Sequence, residues 1–181
     1  TIGRRQRQMC IRDSINGRGT FLTSKACIPH LLKSDNPHIL NISPPLDMNP
    51  MWFQGHVAYT MAKYNMSLCV LGMAAEYKGQ IGVNALWPRT AIKTAAVKNV
   101  LGGDEMMKKS RDPQIMADAA HIILNKDKDK FSGNFVLDDS LLAEHGETDF
   151  SKYADYPFAE LIPDFFVPED AYPVPQVVKD S

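Results

Sequence analysis

Tyr59 and Lys63, in the stretch GHVAYTMAKYNMSLCVLGMAAEYKG, are the residues whose types and spacing most directly suggest chemistry. Residues four apart share one face of a helix, so this spacing makes a phenol and an ammonium neighbours. A nearby cation favours phenolate and lowers a tyrosine pKa from about 10 toward a range suited to proton exchange. Exchange with a carbonyl or alcohol oxygen is the chemistry such a pair supports. The same pair also occurs by chance on solvated helix faces, so its surroundings must decide. His56, three residues earlier, offers a second proton carrier or simply a first-turn helix residue. Trp52, Phe53 and Trp87 suit either a substrate pocket or a core.

The elements that would position this pair follow from periodicity. Residues 15–33 have broadly helical apolar spacing, and Pro29 predicts a bend or an early stop. The turn cluster Ser34–Pro37 leads to HILNIS (His38–Ser43), which reads as a short buried parallel strand. Prolines from Pro44 to Pro50 impose a loop. A long helix is expected from about Gly55 to Tyr77, closed by Gly79. Gln80–Pro88 reads as a second buried strand, and TAIKTAAVKNVL as a loop and a helical piece. A helix follows over roughly Asp112–Leu124, then the solvated run KDKDK and a third strand at Asn134–Leu137. Three strands alternating with helices predict an α/β fold with a parallel sheet. Residues 151–181 are proline-rich and read as an extended tail packed over a domain edge.

Composition narrows the class. An apolar fraction of 44% and a charged fraction of 23% in 181 residues are those of a soluble globular chain. No apolar run approaches the ~18–20 residues needed to span a bilayer, and no secretory leader is visible. Cys10, Cys27 and Cys69 have no metal-ligand or CxxC spacing, which points to reduced thiols in an intracellular compartment. Residues 1–14 stand apart. Four arginines make them look like a nucleic-acid-binding arm, yet Arg4–Ser14 (RRQRQMCIRDS) matches the translation of a transposase-type sequencing adapter residue by residue. Without residues 1–13, Lys+Arg falls from 20 to 16 and Asp+Glu from 21 to 20, so the formal net charge moves from −1 to −4. Nucleic-acid binding loses its support, and the domain is expected over residues 15–150.

Taken in order, five features converge. They are Asn16 in INGRG, the strand ILNIS, Tyr59-x-x-x-Lys63, the strand VNALWP followed by Thr90–Thr94, and FSGNFVLDD. Over roughly residues 15–167 the chain resembles the C-terminal half of a short-chain dehydrogenase/reductase. That resemblance implies an α/β fold, the C-terminal half of a Rossmann-type doubly wound parallel sheet with its front strands missing. It also implies an NADP or NAD cofactor and a small-molecule carbonyl or alcohol substrate, lipid-like by analogy. Tyr59 would be the acid/base. Lys63 would hold the nicotinamide ribose and lower the tyrosine pKa, with Asn16 positioning it through a water. Thr90, Ile92 and Thr94 would line the cofactor loop.

The resemblance also implies a homo-oligomer in the full-length protein. Its compartment would be cytoplasmic in a bacterium, and peroxisomal or mitochondrial in a eukaryote. The pattern departs in three places. Pro44 occupies the usual substrate-binding serine position, leaving Ser43 as the nearest hydroxyl. Arg89 replaces a glycine, and no phosphate-binding glycine motif is present. A fragment without that motif is expected to be inactive. The alternative is a protein of the same fold that binds cofactor or partners with catalysis weakened or lost.

Overall fold

The computed structural model describes residues 14–181. Among these, three strands form one parallel sheet in the order β1 (His38–Ile42), β2 (Gly82–Trp87), β3 (Phe135–Leu137). Helices α1 (Gly19–Leu31), α2 (Val57–Glu76), α3 (Gly103–Lys108), α4 (Gln114–Leu124), α5 (Asp138–Glu144) and α6 (Gln176–Lys179) alternate with or follow them. The chain divides into two compact units. The first comprises residues up to 85 together with 123–135, and the second comprises 86–122 and 136–181. No helix among the described residues is long and apolar enough to cross a membrane.

In the first unit, α2 is the central support. Val70, Met73 and Ala74 pack against Ile81, Val83 and Ala85 in one buried cluster. Each fully buried aliphatic side chain there contributes about 1.5–3 kcal/mol of hydrophobic stabilisation. The helix stops where Gly79 adopts φ +74°, the left-handed region a glycine enters without a Cβ penalty. A wide helical turn, Ser14–Arg18, precedes α1, which ends at Leu31. Pro29 therefore sits in the last turn, and the helix ends two residues after it. One expectation is corrected. β1 is not buried like β2: four of its residues are half-buried and Ile42 is 45% exposed. It lies at the end of the strand order, so among the described residues only one of its edges is paired.

In the second unit, α4 buries Ile115 and Ala119, one turn apart on a single stripe. Asp112 Oδ1 accepts the Gln114 N–H at 2.9 Å and caps its start. Residues beyond 150 are more structured than an extended tail. They form turns at Ser151–Tyr153 and Phe158–Glu160, and α6. They also contribute the buried side chains of Tyr153, Leu161, Phe166 and Val178. Trp87 Nε1 donates to the Phe165 carbonyl at 2.8 Å, and its ring meets Phe166 edge-on.

The polar centre of this unit is an ion cluster that sequence reasoning did not anticipate. Arg89 Nε donates to both oxygens of Asp139, at 2.8 and 2.9 Å, and Arg111 Nη1 donates to Asp139 Oδ2 at 3.0 Å. Arg89 also reaches the Tyr172 carbonyl at 2.8 Å and Ser140 Oγ at 2.7 Å. Asp138 Oδ1 accepts the backbone N–H groups of Arg89 and Asp139, while its Oδ2 has no partner. Burial, and then the neighbouring Asp139 charge, raise the Asp138 carboxyl to about 7.

A carboxyl whose folded-state pKa is raised binds its proton more tightly in the native state than when unfolded. Stability therefore falls as pH rises from the unfolded value of about 4 to about 7, and the penalty is complete above that. Asp138→Asn keeps the acceptor for both backbone N–H groups and never acquires the buried charge. Urea denaturation should find the variant more stable than wild type at pH 8, by on the order of 1–2 kcal/mol, with the gap closing toward pH 5. A gap that is constant with pH would show that Asp138 ionisation is not its source.

Candidate active site

α2 presents two stripes that matter for chemistry. Tyr59, Lys63, Val70 and Ala74 follow one another at spacings of four and seven, so they share one stripe of the helix. Its C-terminal part, Val70 and Ala74, belongs to the core cluster. Tyr59 and Lys63 occupy its N-terminal part and are half-buried. A lysine on a core-facing stripe costs desolvation that an ordinary surface position avoids.

The neighbouring stripe carries three buried hydroxyls, each donating to the loop between β1 and α2. Thr60 Oγ1 donates to the Trp52 carbonyl at 2.5 Å, Tyr64 to the Asp47 carbonyl at 2.7 Å, and Ser67 Oγ to the Pro44 carbonyl at 2.7 Å. Asp47 Oδ2 in turn accepts from Trp52 Nε1 at 2.7 Å. Burial raises the Tyr64 phenol above its ordinary range, so it remains a neutral donor. Phe53 meets Tyr64 edge-on. Trp52 and Phe53 thus work as packing for this loop. His56 stands at the N-terminal boundary of α2 and is exposed.

Ser43 follows β1 directly. It is 0% exposed, and its hydroxyl has no hydrogen-bond partner. A buried orphan hydroxyl is costly unless something bonds it. The next residue, Pro44, is buried and anchored through its carbonyl to α2, one turn beyond Lys63. Asn16 lies half-buried in the turn before α1. The adjacent Gly17 lies so close to α2 that an added Cβ would stand 2.8 Å from Asn65 Cβ. Asn16, Ser43, Tyr59 and Lys63 therefore all belong to the first unit, and the segments carrying Asn16 and Ser43 each touch α2.

Thr90, Ile92 and Thr94 belong to the second unit. Their segment is held on both sides. Thr90 bridges Pro163 and Ile92 bridges Arg111, with Ala91 N–H donating to Ile162 and Arg111 N–H donating to Ala91, each at 2.8 Å. Thr90 is buried and its hydroxyl has no partner, a second orphan donor of the kind a bound ligand satisfies. Thr94 is exposed and its Oγ1 accepts the Val97 N–H at 3.3 Å. Arg89, the departure from glycine, is the clamp that ties this segment to Asp139 and to the chain near Tyr172. No group of His, Cys, Asp and Glu suited to a metal occurs among the described residues. Of the suspected adapter segment, residues 1–14, all but Ser14 lie outside them.

The chain is also similar to known proteins. Residues 9–122 match a family model described as enoyl-(acyl carrier protein) reductase. Hydroxysteroid dehydrogenase-like protein 2 of Danio rerio is 60% identical over 159 residues, covering 86% of this chain and 38% of the relative. The same-named protein of Xenopus laevis is 61% identical over 155 residues and is covered to 37%. The chain thus spans less than two-fifths of these relatives. A solved dehydrogenase of Xanthomonas campestris superposes with a TM-score of 0.85 at 45% identity, covering 91% of this chain and 60% of that one. A short chain dehydrogenase of Mycobacterium thermoresistibile gives 0.84 at 44%, covering 97% and 61%.

Ser67→Ala should leave the buried Pro44 carbonyl without a donor and cost about 1–3 kcal/mol in denaturant unfolding. Val70→Ala, in the same helix but in the apolar cluster, should cost a similar amount without increasing amide exchange between residues 43 and 52. Selective loosening of that loop in Ser67→Ala is the distinguishing result.

Proposed function

The chain belongs to the short-chain dehydrogenase/reductase family, and from that premise we propose that it carries the proton-transfer centre of an NADP- or NAD-dependent oxidoreductase. The reaction would interconvert a hydroxyl and a carbonyl on a small, lipid-like substrate. The observation that carries this reading is the placement of Tyr59 and Lys63 on the core-facing stripe of α2, with the orphan hydroxyl of Ser43 in the same unit.

In the reductive direction the Tyr59 phenol donates its proton to the substrate oxygen as negative charge develops there. In the oxidative direction the phenolate withdraws it. The Lys63 ammonium stabilises the phenolate and would hold the cofactor's ribose hydroxyls, with Asn16 orienting it through a water. Ser43 Oγ donates to the substrate carbonyl in place of the family's usual serine, a position Pro44 cannot serve because it has no donor. The nicotinamide cofactor, when bound, supplies or accepts the hydride. Thr90, Ile92 and Thr94 would contact it, and the unpartnered Thr90 hydroxyl suits that role. Val57, Met61, Leu68 and Leu71 are each more than half exposed along one side of α2. That apolar stripe supports association between copies of the protein.

In a protein comprising the complete dehydrogenase domain, Tyr59→Phe should lower turnover of a carbonyl panel by about 10²–10⁴ while cofactor affinity stays within a few-fold. Ser43→Ala should lose about 10²–10³. Equal turnover of wild type and Tyr59→Phe would defeat the mechanism. It would favour the alternative, a protein of this fold kept for binding rather than catalysis. The 181-residue chain alone should turn over nothing, having no phosphate-binding glycine motif; NADPH oxidation by it would overturn that expectation.

A further inference from the structure

Arg111 lines a cavity and leaves half of its guanidinium unused. Its side chain is 1% exposed and spends only Nη1 on Asp139, at 3.0 Å. Nε and Nη2 have no hydrogen-bond partner. These two nitrogens form one edge of the guanidinium, whose parallel N–H groups match the two oxygens of a carboxylate. The guanidinium carbon lies 5.8 Å from the Phe150 ring centre and 5.5 Å from that of Phe158. Arg111, Phe150 and Phe158 all line the same cavity of about 260 Å³, together with Ala154, Tyr156 and Leu161.

Size, charge and shape select the ligand. The cavity would hold roughly eight or nine waters, or a ligand of about ten non-hydrogen atoms. Two residues of the lining carry a carboxylate: Asp155 is 72% exposed and already paired with Lys93 at 2.7 Å, and Ser181, the last residue of the chain, accepts the Phe158 N–H at 2.9 Å. The ion cluster behind Arg111 sets two guanidiniums against Asp139 and a second carboxyl, Asp138, that burial holds largely protonated below about 7. One further negative charge completes it. A single two-donor edge and aromatic walls fit a flat monoanion, whereas a phosphate would need further donors. We propose that this cavity of the second unit binds a small planar monocarboxylate. Its carboxylate pairs with the Nε/Nη2 edge of Arg111 and its apolar body lies against Phe150, Phe158 and Tyr156. The site does not depend on the proton-transfer reading, because it uses none of those residues.

Benzoate is the probe. Titrated into the ¹⁵N-labelled chain, it should shift the Arg111 Nε–H and the amides of Ala154, Phe158 and Leu161 saturably, with Kd on the order of 0.1–1 mM. Ala154→Phe fills the cavity while leaving Arg111 in place and should abolish those shifts. Arg111→Lys keeps the charge, loses the fork, and should weaken binding by about tenfold or more. Benzyl alcohol and sulfate should each bind at least about tenfold more weakly than benzoate.

Four results would overturn the proposal. They are no saturable shift in wild type, unchanged affinity in Ala154→Phe, benzyl alcohol binding as tightly as benzoate, or sulfate doing so. The first would mean that water alone satisfies Arg111. If Arg111→Lys does not fold, these four results still decide.

Discussion

The first unit depends on one face of α2 that changes chemistry along its length. Toward the C-terminus the helix buries aliphatic side chains against the sheet. Toward the N-terminus it buries the hydroxyls of Thr60, Tyr64 and Ser67, which donate to three carbonyls of the loop ahead of it. Loop carbonyls taken out of water must be bonded, and here helix side chains bond them. The consequence is geometric. The loop that begins at Ser43 is fixed to the same rigid element that carries Tyr59 and Lys63. Catalytic groups held on one rigid support need little reorganisation during reaction.

The second unit uses charge where the first uses hydroxyls. Asp139 receives two guanidiniums, and through Arg89 the cluster reaches the segment after β2, the start of α5 and the carbonyl of Tyr172. A buried ion cluster of this kind is a poor source of net stability, since desolvation offsets most of the attraction. Its value lies in specification, because removing one member strands the others. Arg89 therefore fixes the path of Thr90–Thr94 by bonding its surroundings, where a glycine would have done so only by being small.

Most of the architecture was legible in the sequence. The long helix, the strand after it, the capped helix at Gln114 and the third strand all follow from periodicity, proline and glycine. Tyr59 and Lys63 were legible because helical spacing is a local property. What was not legible is non-local. β1 looked buried from its apolar letters, but a strand's burial depends on its place in the sheet order. The residues after 150 looked like a tail because prolines exclude regular elements. Yet Tyr153, Phe166 and Val178 are buried by partners the local sequence does not name. The Arg89–Asp139–Arg111 cluster joins residues dozens of positions apart, and no spacing rule could have paired them.

Two of the three departures from the family pattern acquire different meanings in this light. Pro44 removes a hydroxyl, but its own carbonyl is anchored by Ser67, and the hydroxyl beside it, on Ser43, is buried with nothing to bond. A fold that only needed to fill this place would do so more cheaply with alanine, which leaves no orphan oxygen. The orphan is the observation on which the proposed donor role of Ser43 rests. Arg89 is the opposite case: every nitrogen of its side chain is bonded inside the unit, so its role is to hold its surroundings and not a ligand. Arg111, beside it in the same cluster, keeps two nitrogens unspent. Within one chain, the count of satisfied hydrogen bonds thus separates polar residues that build the fold from those with capacity left for chemistry or binding.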